Sequence, residues 1–415
     1  MRGMRYEDYL EESYEPQETD LVCEFRFEHD PSVSFEWAAG AIGAESSIGT
    51  WDPHLSTMRE EIRELGAKVF WTDKEDNRVK IAYPQDLFEP RNMPQILSSI
   101  TGNIFGLSEL TRLKLLDVNF PEEIINGFSG PQLGISGVRE LTGIKDRPLL
   151  GTIVKPKLGL SDEQHSTVAY DAWRGGVEIV KDDENLADMS FNRFEDRIPK
   201  TLDKRDEAED ETGEKKLYFP NITAPLSEMK RRADLVIDHG GEYVMIDILT
   251  TGWSALQEMR DYLEGKGIGI HAHRAQHAAY TRLEDHGISM LAIAKFARLV
   301  GVDNLHAGTI VGKMEGEKQE ILNIYDSLRS NFHDLKRTIP VASGGLHPGL
   351  VDDLIDIFGT DLVTQAGGGI HGHPDGTESG ARAMRQAVEA RTQGIELQDY
   401  AEDHPELAKA LEKWD

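Results

Sequence analysis

Residues 175–185 read GGVEIVKDDEN. Val177 to Val180 is a short apolar run carrying the β-branched residues of a buried strand. It breaks into Lys181, Asp182, Asp183 and Glu184. Like charges converging on one site raise each other's proton affinity unless a cation sits among them. Carboxylate oxygens of this kind suit a hard divalent ion, Mg2+ in particular. Alternation along an extended chain puts Lys181 and Asp183 on one face and Asp182 on the other. Taken alone, the same four residues also fit a solvated turn after a strand.

Further along the chain, more residues of this kind follow apolar runs. Lys155 and Lys157 flank Pro156, whose fixed φ stiffens the segment. Two ammonium groups so close oppose each other's charge, which suits one of them to acid/base work. His271, His273, His277 and His306 are too many for all to be satisfied core histidines, and Arg274 beside His273 suggests an anionic ligand. Gly344-Gly345 and Gly367-Gly368-Gly369 offer unobstructed backbone N–H groups of the sort that cradle phosphate oxygens. Residues 309–316, with glycines at positions 312 and 316 and Lys313 near the tip, suit a mobile lid carrying a cation. An uncharged lysine can add CO2 to form a carbamate, which would make Lys181 a third anionic oxygen ligand beside Asp183 and Glu184. Three anions around Mg2+, two phosphate cradles and several cations describe a site that enolises a doubly phosphorylated sugar.

The elements that must position these groups recur regularly from Leu149 onward. Apolar runs begin at Leu149, Val177, Leu217, Tyr243, Gly267, Asp303, Ile339 and Leu362, each ends in polar or glycine residues, and a helical stretch follows. Ser161 with Gln164, and Ser254 with Gln257, have the form of capping boxes. Gly175, Gly240 and Gly359 fall where helices should stop. Eight βα units in this length predict a (β/α)8 TIM barrel, whose strand ends converge on one mouth. A doubly wound open sheet, with the same ends in a row, is the alternative. Residues 1–130 read as a smaller α+β domain and 131–415 as the barrel domain. In the first, Leu21 to Phe27 alternates as a strand, 34–46 reads as a helix, and 68–71 and 79–83 read as paired strands.

Composition narrows the function classes. The 415 residues carry a net charge of −29, spread along the chain. Such a surface repels nucleic acid and anionic membranes. High salt would screen its self-repulsion. Cys23 is the one cysteine, so no intrachain disulfide or thiolate zinc cluster forms. The N-terminal residues lack the apolar core of a signal peptide, and no apolar run reaches the length of a membrane span. The expectation is a soluble, cytoplasmic protein.

Eight segments together resemble the large subunit of ribulose-1,5-bisphosphate carboxylase/oxygenase. GTIVKPKLGLS (151–161), GGVEIVKDDEN (175–185), HAHRAQHAA (271–279), HAGTIVGKMEG (306–316), VASGGLHPG (341–349) and TQAGGGIHGHPDG (364–376) resemble that family's motifs, in its order. ESSIGTW (45–51) and TGNIFG (101–106) resemble motifs of its N-terminal domain, which is ferredoxin-like. The resemblance implies an enzyme that carboxylates and oxygenates ribulose 1,5-bisphosphate with CO2 and O2. Lys181 would be the carbamylated lysine, ligating Mg2+ with Asp183 and Glu184 and taking the C3 proton. Lys155 would be an acid/base lysine near C2, supported by Lys157. His273 would handle hydroxyl protons, Arg274 and His306 would bind a phosphate, and Lys313 would stabilise the incoming CO2. Ser343, Gly344 and Gly345 would hold one end of the substrate, and Gly367 and Gly368, with Gln365, the other. Glu45, Thr50, Trp51 and Asn103 would reach in from a neighbouring subunit, so the smallest active unit would be a homodimer. A ring of dimers without a small subunit is the larger assembly implied.

The chain also departs from the plant pattern. Ile153 stands where plant enzymes carry a threonine, Gln276 replaces a usual methionine, and 370–387 resembles the archaeal form III. With the acidity, this resembles a halophilic archaeal enzyme serving AMP and nucleoside salvage. A related enolase acting on a methylthio-sugar phosphate is the rival; it usually lacks part of the set Lys155, Lys313, His306 and Asn103. An amidohydrolase would carry its His-x-His pair before the lysine, whereas His271 and His273 follow Lys181.

Overall fold

A computed structural model of the chain describes every residue except 1–3, 51, 53, 312–314 and 415, and no side chain at 315–317. Trp51 and Lys313, both expected at the site, lie outside the described residues. In chain order the strands are β1 (Asp20–His29), β2 (Lys68–Asp73), β3 (Arg78–Pro84), β4 (Leu110–Asn119), β5 (Leu149–Ile153), β6 (Ile179–Lys181), β7 (Leu217–Phe219), β8 (Tyr243–Asp247), β9 (Gly269–His273), β10 (Gly287–Ile288), β11 (Asn304–His306), β12 (Ile339–Ser343) and β13 (Val363–Gln365). No helix among the described residues is long and apolar enough to cross a membrane.

Two compact units form, one of Met1–Ser129 with Gln276–Leu299 and the other of Gly130–Ala275 with Val300–Asp415. In the first, a five-stranded sheet runs β10-β4-β1-β3-β2. Period-two alternation buries Leu21, Cys23, Phe25 and Phe27 of β1. The helix Phe35–Glu45 is capped by Ser34, whose hydroxyl accepts from Trp37 N at 3.1 Å. A split at 130/131 leaves residues 276–299 with the barrel. They instead fold with this sheet, because β10 pairs with Lys114 and Leu115 of β4 and Lys295 Nζ bonds the Val118 carbonyl at 3.0 Å.

The second unit is the barrel. Eight parallel strands run β7-β6-β5-β13-β12-β11-β9-β8. The ring closes where Asn221, just past β7, bridges Met245 of β8. Met245 N donates to Pro220 O at 2.8 Å and Ile222 N to Met245 O at 3.0 Å. The open sheet is thereby excluded. The capping box at Ser161 and Gln164 forms. The one expected at Ser254 does not: the helix Trp253–Tyr262 starts earlier, with Gly252 at its cap, so Ser254 lies inside it.

One apolar cluster fills the barrel, including Leu149, Ile179, Phe219, Met245, Val341 and Val363, with Ile135 and Val138 of the helix Gly134–Thr142 packed into it. That helix is pinned by Asp303, whose carboxylate accepts from Leu133 N at 2.6 Å, Gly134 N at 2.8 Å and Ile270 N at 2.8 Å. Alternation then decides what lies above the cluster. Two residues on from Leu149, Ile179, Met245, Val341 and Val363 along the same strands stand Gly151, Lys181, Asp247, Ser343 and Gln365. Four strands, β6, β9, β11 and β12, run past their apolar residues, whereas β5, β7 and β8 stop short of theirs. Lys181, His273, His306 and Ser343 are therefore the last residues of their strands and not the first residues of loops.

Asp182 faces the other way. Its carboxylate takes the Tyr218 hydroxyl at 2.5 Å and Asn221 N at 2.9 Å, and pairs with Arg197 Nη2 at 3.2 Å and His165 Nε2 at 3.1 Å, all in fully buried surroundings. Burial opposes its charge, but Arg197, His165 and Tyr218 outweigh burial and hold the carboxyl well below the usual range. This anchors the backbone between Lys181 and Asp183 from outside the barrel.

Two consequences can be measured. Arg197→Met strips the buried Asp182 carboxylate of its arginine partner and should cost about 3–5 kcal/mol in urea unfolding at neutral pH. Because the folded Asp182 carboxyl is depressed, its stabilisation is complete above the unfolded pKa of about 3.9 and is lost as pH falls further. The stability gap between the native chain and Asp182→Asn should therefore narrow below about pH 4; a constant gap from pH 7 to pH 3 would contradict the ionised assignment. Gly369 lets the loop after β13 lie on the loop after β12: a Cβ there would sit 2.0 Å from Leu346 O and 2.9 Å from His347 Cα. Gly369→Ala should cost about 1–3 kcal/mol or more in the same assay.

Candidate active site

The barrel mouth is built around Lys181. Its side chain is almost wholly buried, and Nζ donates to the Asp182 carbonyl at 2.9 Å and lies 3.6 Å from Met245 Sδ. Burial pulls its pKa down to about 8, against the opposing pull of Glu184, Asp183 and Asp247. Unlike an ordinary lysine, it holds about a tenth of its amine neutral at pH 7.

The two lysines flanking Pro156 do not act on each other alone; each has a carboxylate across the neighbouring strand end. Lys155 Nζ donates to Asp183 Oδ2 at 3.0 Å, and Lys157 Nζ lies 3.5 Å from Glu184 Oε1. Asp183 Oδ1 also accepts from Asn185 N and Nδ2, each at 3.1 Å. Burial works against the charge of Asp183, yet Lys155 and Asn185 hold its carboxyl below the usual value. Glu184 is held low likewise, burial being outweighed by backbone donors and His273, 3.7 Å away.

His273 is oriented by Asp247, a residue the sequence reading passed over. Its Nδ1 lies 2.8 Å from Asp247 Oδ1, and Asp247 is 4 % exposed. A buried carboxylate on Nδ1 fixes the tautomer, leaving Nε2 toward Glu184. The signal was present: Asp247 ends a barrel strand, but the apolar Ile248 and Leu249 after it extended the apparent run to Leu249. His306 has both ring nitrogens occupied, Nε2 by His271 Nε2 at 3.0 Å and Nδ1 by Ser343 Oγ at 2.9 Å. Burial, reinforced by His273, His271 and Lys181, drives its pKa well below the ordinary value, so it is neutral. Arg274 lies against Gly308, whose Cβ would come 3.0 Å from Nη2; burial lowers its pKa to about 10, and it remains a cation at neutral pH. His277 Nδ1 lies 3.0 Å from Thr281 Oγ1, and His277 belongs to the first unit.

The glycine clusters flank this group. Gly344 and Gly345 have φ of +109° and +67°, open to glycine at least cost. A Cβ on Gly367 would meet Ile153 Cγ2 at 3.1 Å and the Lys155 stem at 3.6 Å; one on Gly368 would meet nothing within 4 Å. Gly367 thus sits beside Lys155, with Gly368 open to a ligand. Gln365 is 3 % exposed, with both amide atoms unpartnered, and its Oε1 lies where a Cβ on Gly151 would stand, 2.3 Å away. His371, also missed, spans from Ile153 O at 2.9 Å to Thr377 Oγ1 at 3.0 Å beneath the Lys155 strand end.

The remaining expected residues lie in the first unit. Glu45 and Thr50 line a cavity of about 420 Å³ with Tyr6, Trp37, Leu107 and Glu109, and Glu45 Oε1 accepts from Tyr6 OH at 2.7 Å. Asn103 is exposed at the start of a short 3-10 turn, Asn103–Gly106.

Comparison with known proteins covers nearly the whole chain. Residues 134–414 match the family described as ribulose bisphosphate carboxylase large chain, catalytic domain, and 8–124 match its N-terminal domain. A ribulose bisphosphate carboxylase of Pyrococcus abyssi is 51 % identical over 411 residues, covering 99 % of this chain and 96 % of that protein. One from Methanocaldococcus jannaschii is 51 % identical over 429 residues, covering 98 % and 100 %. Among solved structures, the octameric enzyme of Pyrococcus horikoshii superposes with a TM-score of 0.96 at 50 % identity, covering 100 % of this chain and 97 % of that one. The dimeric archaeal enzyme of Hyperthermus butylicus gives 0.94 at 45 % identity, covering 99 % of each. With a closed eight-stranded barrel whose mouth gathers Lys181, Asp183, Glu184, His273 and Lys155, and with both domains matched, the chain belongs to the ribulose bisphosphate carboxylase large-chain family.

Proposed function

We propose that the chain carboxylates, and in competition oxygenates, D-ribulose 1,5-bisphosphate. With CO2 and water the products are two molecules of 3-phosphoglycerate. The observation that carries this reading is the buried Lys181 amine with a lowered proton affinity beside two ionised carboxylates. Among the described residues no group of three or more His, Cys, Asp or Glu side chains is arranged to hold a metal ion. Asp183 and Glu184 supply two hard oxygen donors, and a third fits at Lys181 once its neutral amine attacks CO2. In that step an N–C bond forms, one proton leaves, and a carbamate anion results. The donor set then suits Mg2+. Bound there, Mg2+ would polarise the substrate carbonyl and stabilise the enediolate.

The chain's own groups account for the rest of the chemistry. The carbamate takes the proton from C3. His273, held by Asp247, exchanges protons with the substrate hydroxyls. Lys155, held near Asp183, returns a proton to the carbanion left after C–C cleavage. Arg274 and the backbone N–H groups around Gly344, Gly345, Gly367 and Gly368 hold the two phosphates, and Lys313 steadies the new carboxylate. Glu45, Thr50, Trp51 and Asn103 complete the site of a second copy, which requires at least a homodimer. Octameric and dimeric relatives support assembly from copies of one chain. The acidity and the form III character of residues 370–387 support work in high salt and in AMP and nucleoside salvage.

The test is direct. Protein purified in high salt and incubated with bicarbonate and Mg2+ should convert ribulose 1,5-bisphosphate and labelled CO2 into acid-stable label in 3-phosphoglycerate. Lys181→Ala should give none. No label from the intact, folded, Mg2+-binding protein would sink the carboxylase reading and favour enolisation of a methylthio-sugar phosphate. Activation by CO2 should also follow the Lys181 amine. Only the neutral form reacts, so the activation rate should rise about tenfold per pH unit below pH 8 and level off above it. Activation that keeps rising to pH 10 would show an ordinary, solvated lysine.

A further inference from the structure

The resemblance implies no role for His271, yet it is wholly buried and faces His306, a residue expected at a phosphate, Nε2 to Nε2 at 3.0 Å, with ring centroids 4.9 Å apart. Both imidazoles are driven well below the ordinary pKa, first by burial and then by neighbours that include Lys181 and His273, so both are neutral. Two neutral rings share two N–H protons over four nitrogens. At 3.0 Å the facing Nε2 atoms require one proton between them, since none leaves lone pairs opposed and two clash.

Two arrangements satisfy this. If His306 holds the shared proton, its Nδ1 is bare and consumes the Ser343 hydroxyl proton at 2.9 Å, while His271 Nδ1 carries an N–H. If His271 holds it, His306 Nδ1–H donates to Ser343 Oγ, and His271 Nδ1 is a bare acceptor. His271 Nδ1 is buried and has no partner. An orphaned buried N–H is rarer and costlier than an orphaned acceptor. The second arrangement is therefore preferred.

We propose that His271 is a positioning residue: its Nε2–H fixes the tautomer of His306, which turns the Ser343 hydroxyl proton outward as a donor to a substrate oxyanion. Ser343 is the half-buried end of this chain at the barrel mouth, whereas His306 has no free nitrogen to offer a ligand. His306 then acts on the substrate through Ser343. The identity of that substrate rests on the function proposed above; the proton order does not.

Neutron diffraction from perdeuterated crystals of the free protein tests the proton order whatever the reaction. Deuterium is expected on His271 Nε2 and His306 Nδ1; deuterium on His306 Nε2 and His271 Nδ1 would overturn the proposal. The kinetic arm compares His271→Gln, whose amide nitrogen can still donate to His306, with His271→Phe, which cannot, after both are shown to melt as the native protein does. His271→Phe should raise the KM for ribulose 1,5-bisphosphate about tenfold or more, the worth of one hydrogen bond to a charged group, with kcat within about threefold. His271→Gln should restore KM to within about threefold of native. An unchanged KM in His271→Phe, or equal losses in both variants, would reduce His271 to a packing residue. Absence of carboxylation in the native protein would overturn the function and leave the neutron result to decide the proton order.

Discussion

A primary amine stripped of water is the condition on which this barrel's chemistry depends. Lys181 ends β6 with its stem among core residues and its nitrogen held by a backbone carbonyl and a thioether, so little solvates the ammonium. Desolvation favours the neutral form more than the nearby carboxylates favour the charged one. The same burial would be ruinous for an isolated charge. Here it is tolerable because Asp183, Glu184 and Asp247 stand close.

The strand geometry separates what stabilises from what reacts. Successive residues on β6 face opposite ways, so Asp182 is locked into Arg197, His165 and Tyr218 outside the barrel while Lys181 faces in. The network outside uses its charges up in fixed pairs and holds the backbone still. The groups inside are held by neighbours on adjoining strands, and Lys155 and His273 keep polar atoms for a ligand. Lys155 is held by Asp183 and His273 by Asp247, each on one neighbouring strand end, and His306 is held from both sides by His271 and Ser343. Barrel closure makes this possible, because only in a ring does every strand end have neighbours on both sides.

Much of this was legible beforehand. The eight apolar runs, their polar terminations and the glycine punctuation all correspond to observed strands and turns, because strand burial writes itself into hydropathy. The ordered motifs located the family without any coordinates. Boundaries were less legible. Strands β6, β9, β11 and β12 run past their apolar residues, since in a barrel the last inward position can be a lysine or histidine whenever a site surrounds it, while β8 stops at Asp247 before its apolar run does. Ser254 read as a cap but lies within its helix, since Gly252 supplies the turn two residues earlier. Residues 276–299 looked like a barrel segment, yet β10 pairs to the first sheet through backbone bonds that leave no side-chain signature.

The sequence by itself determined the fold class, the family and the residue types at the mouth, because periodicity, glycine placement and local motifs are properties of neighbours along the chain. Partner choice belongs to tertiary structure alone. That Asp247 orients His273, that Gly151 yields its side-chain space to Gln365, and that His271 shares a proton with His306 depend on strands 26, 214 and 35 residues apart meeting in register. Hydropathy is blind to such meetings, because a buried polar side chain looks the same in sequence whether its partner lies on the next strand or is missing.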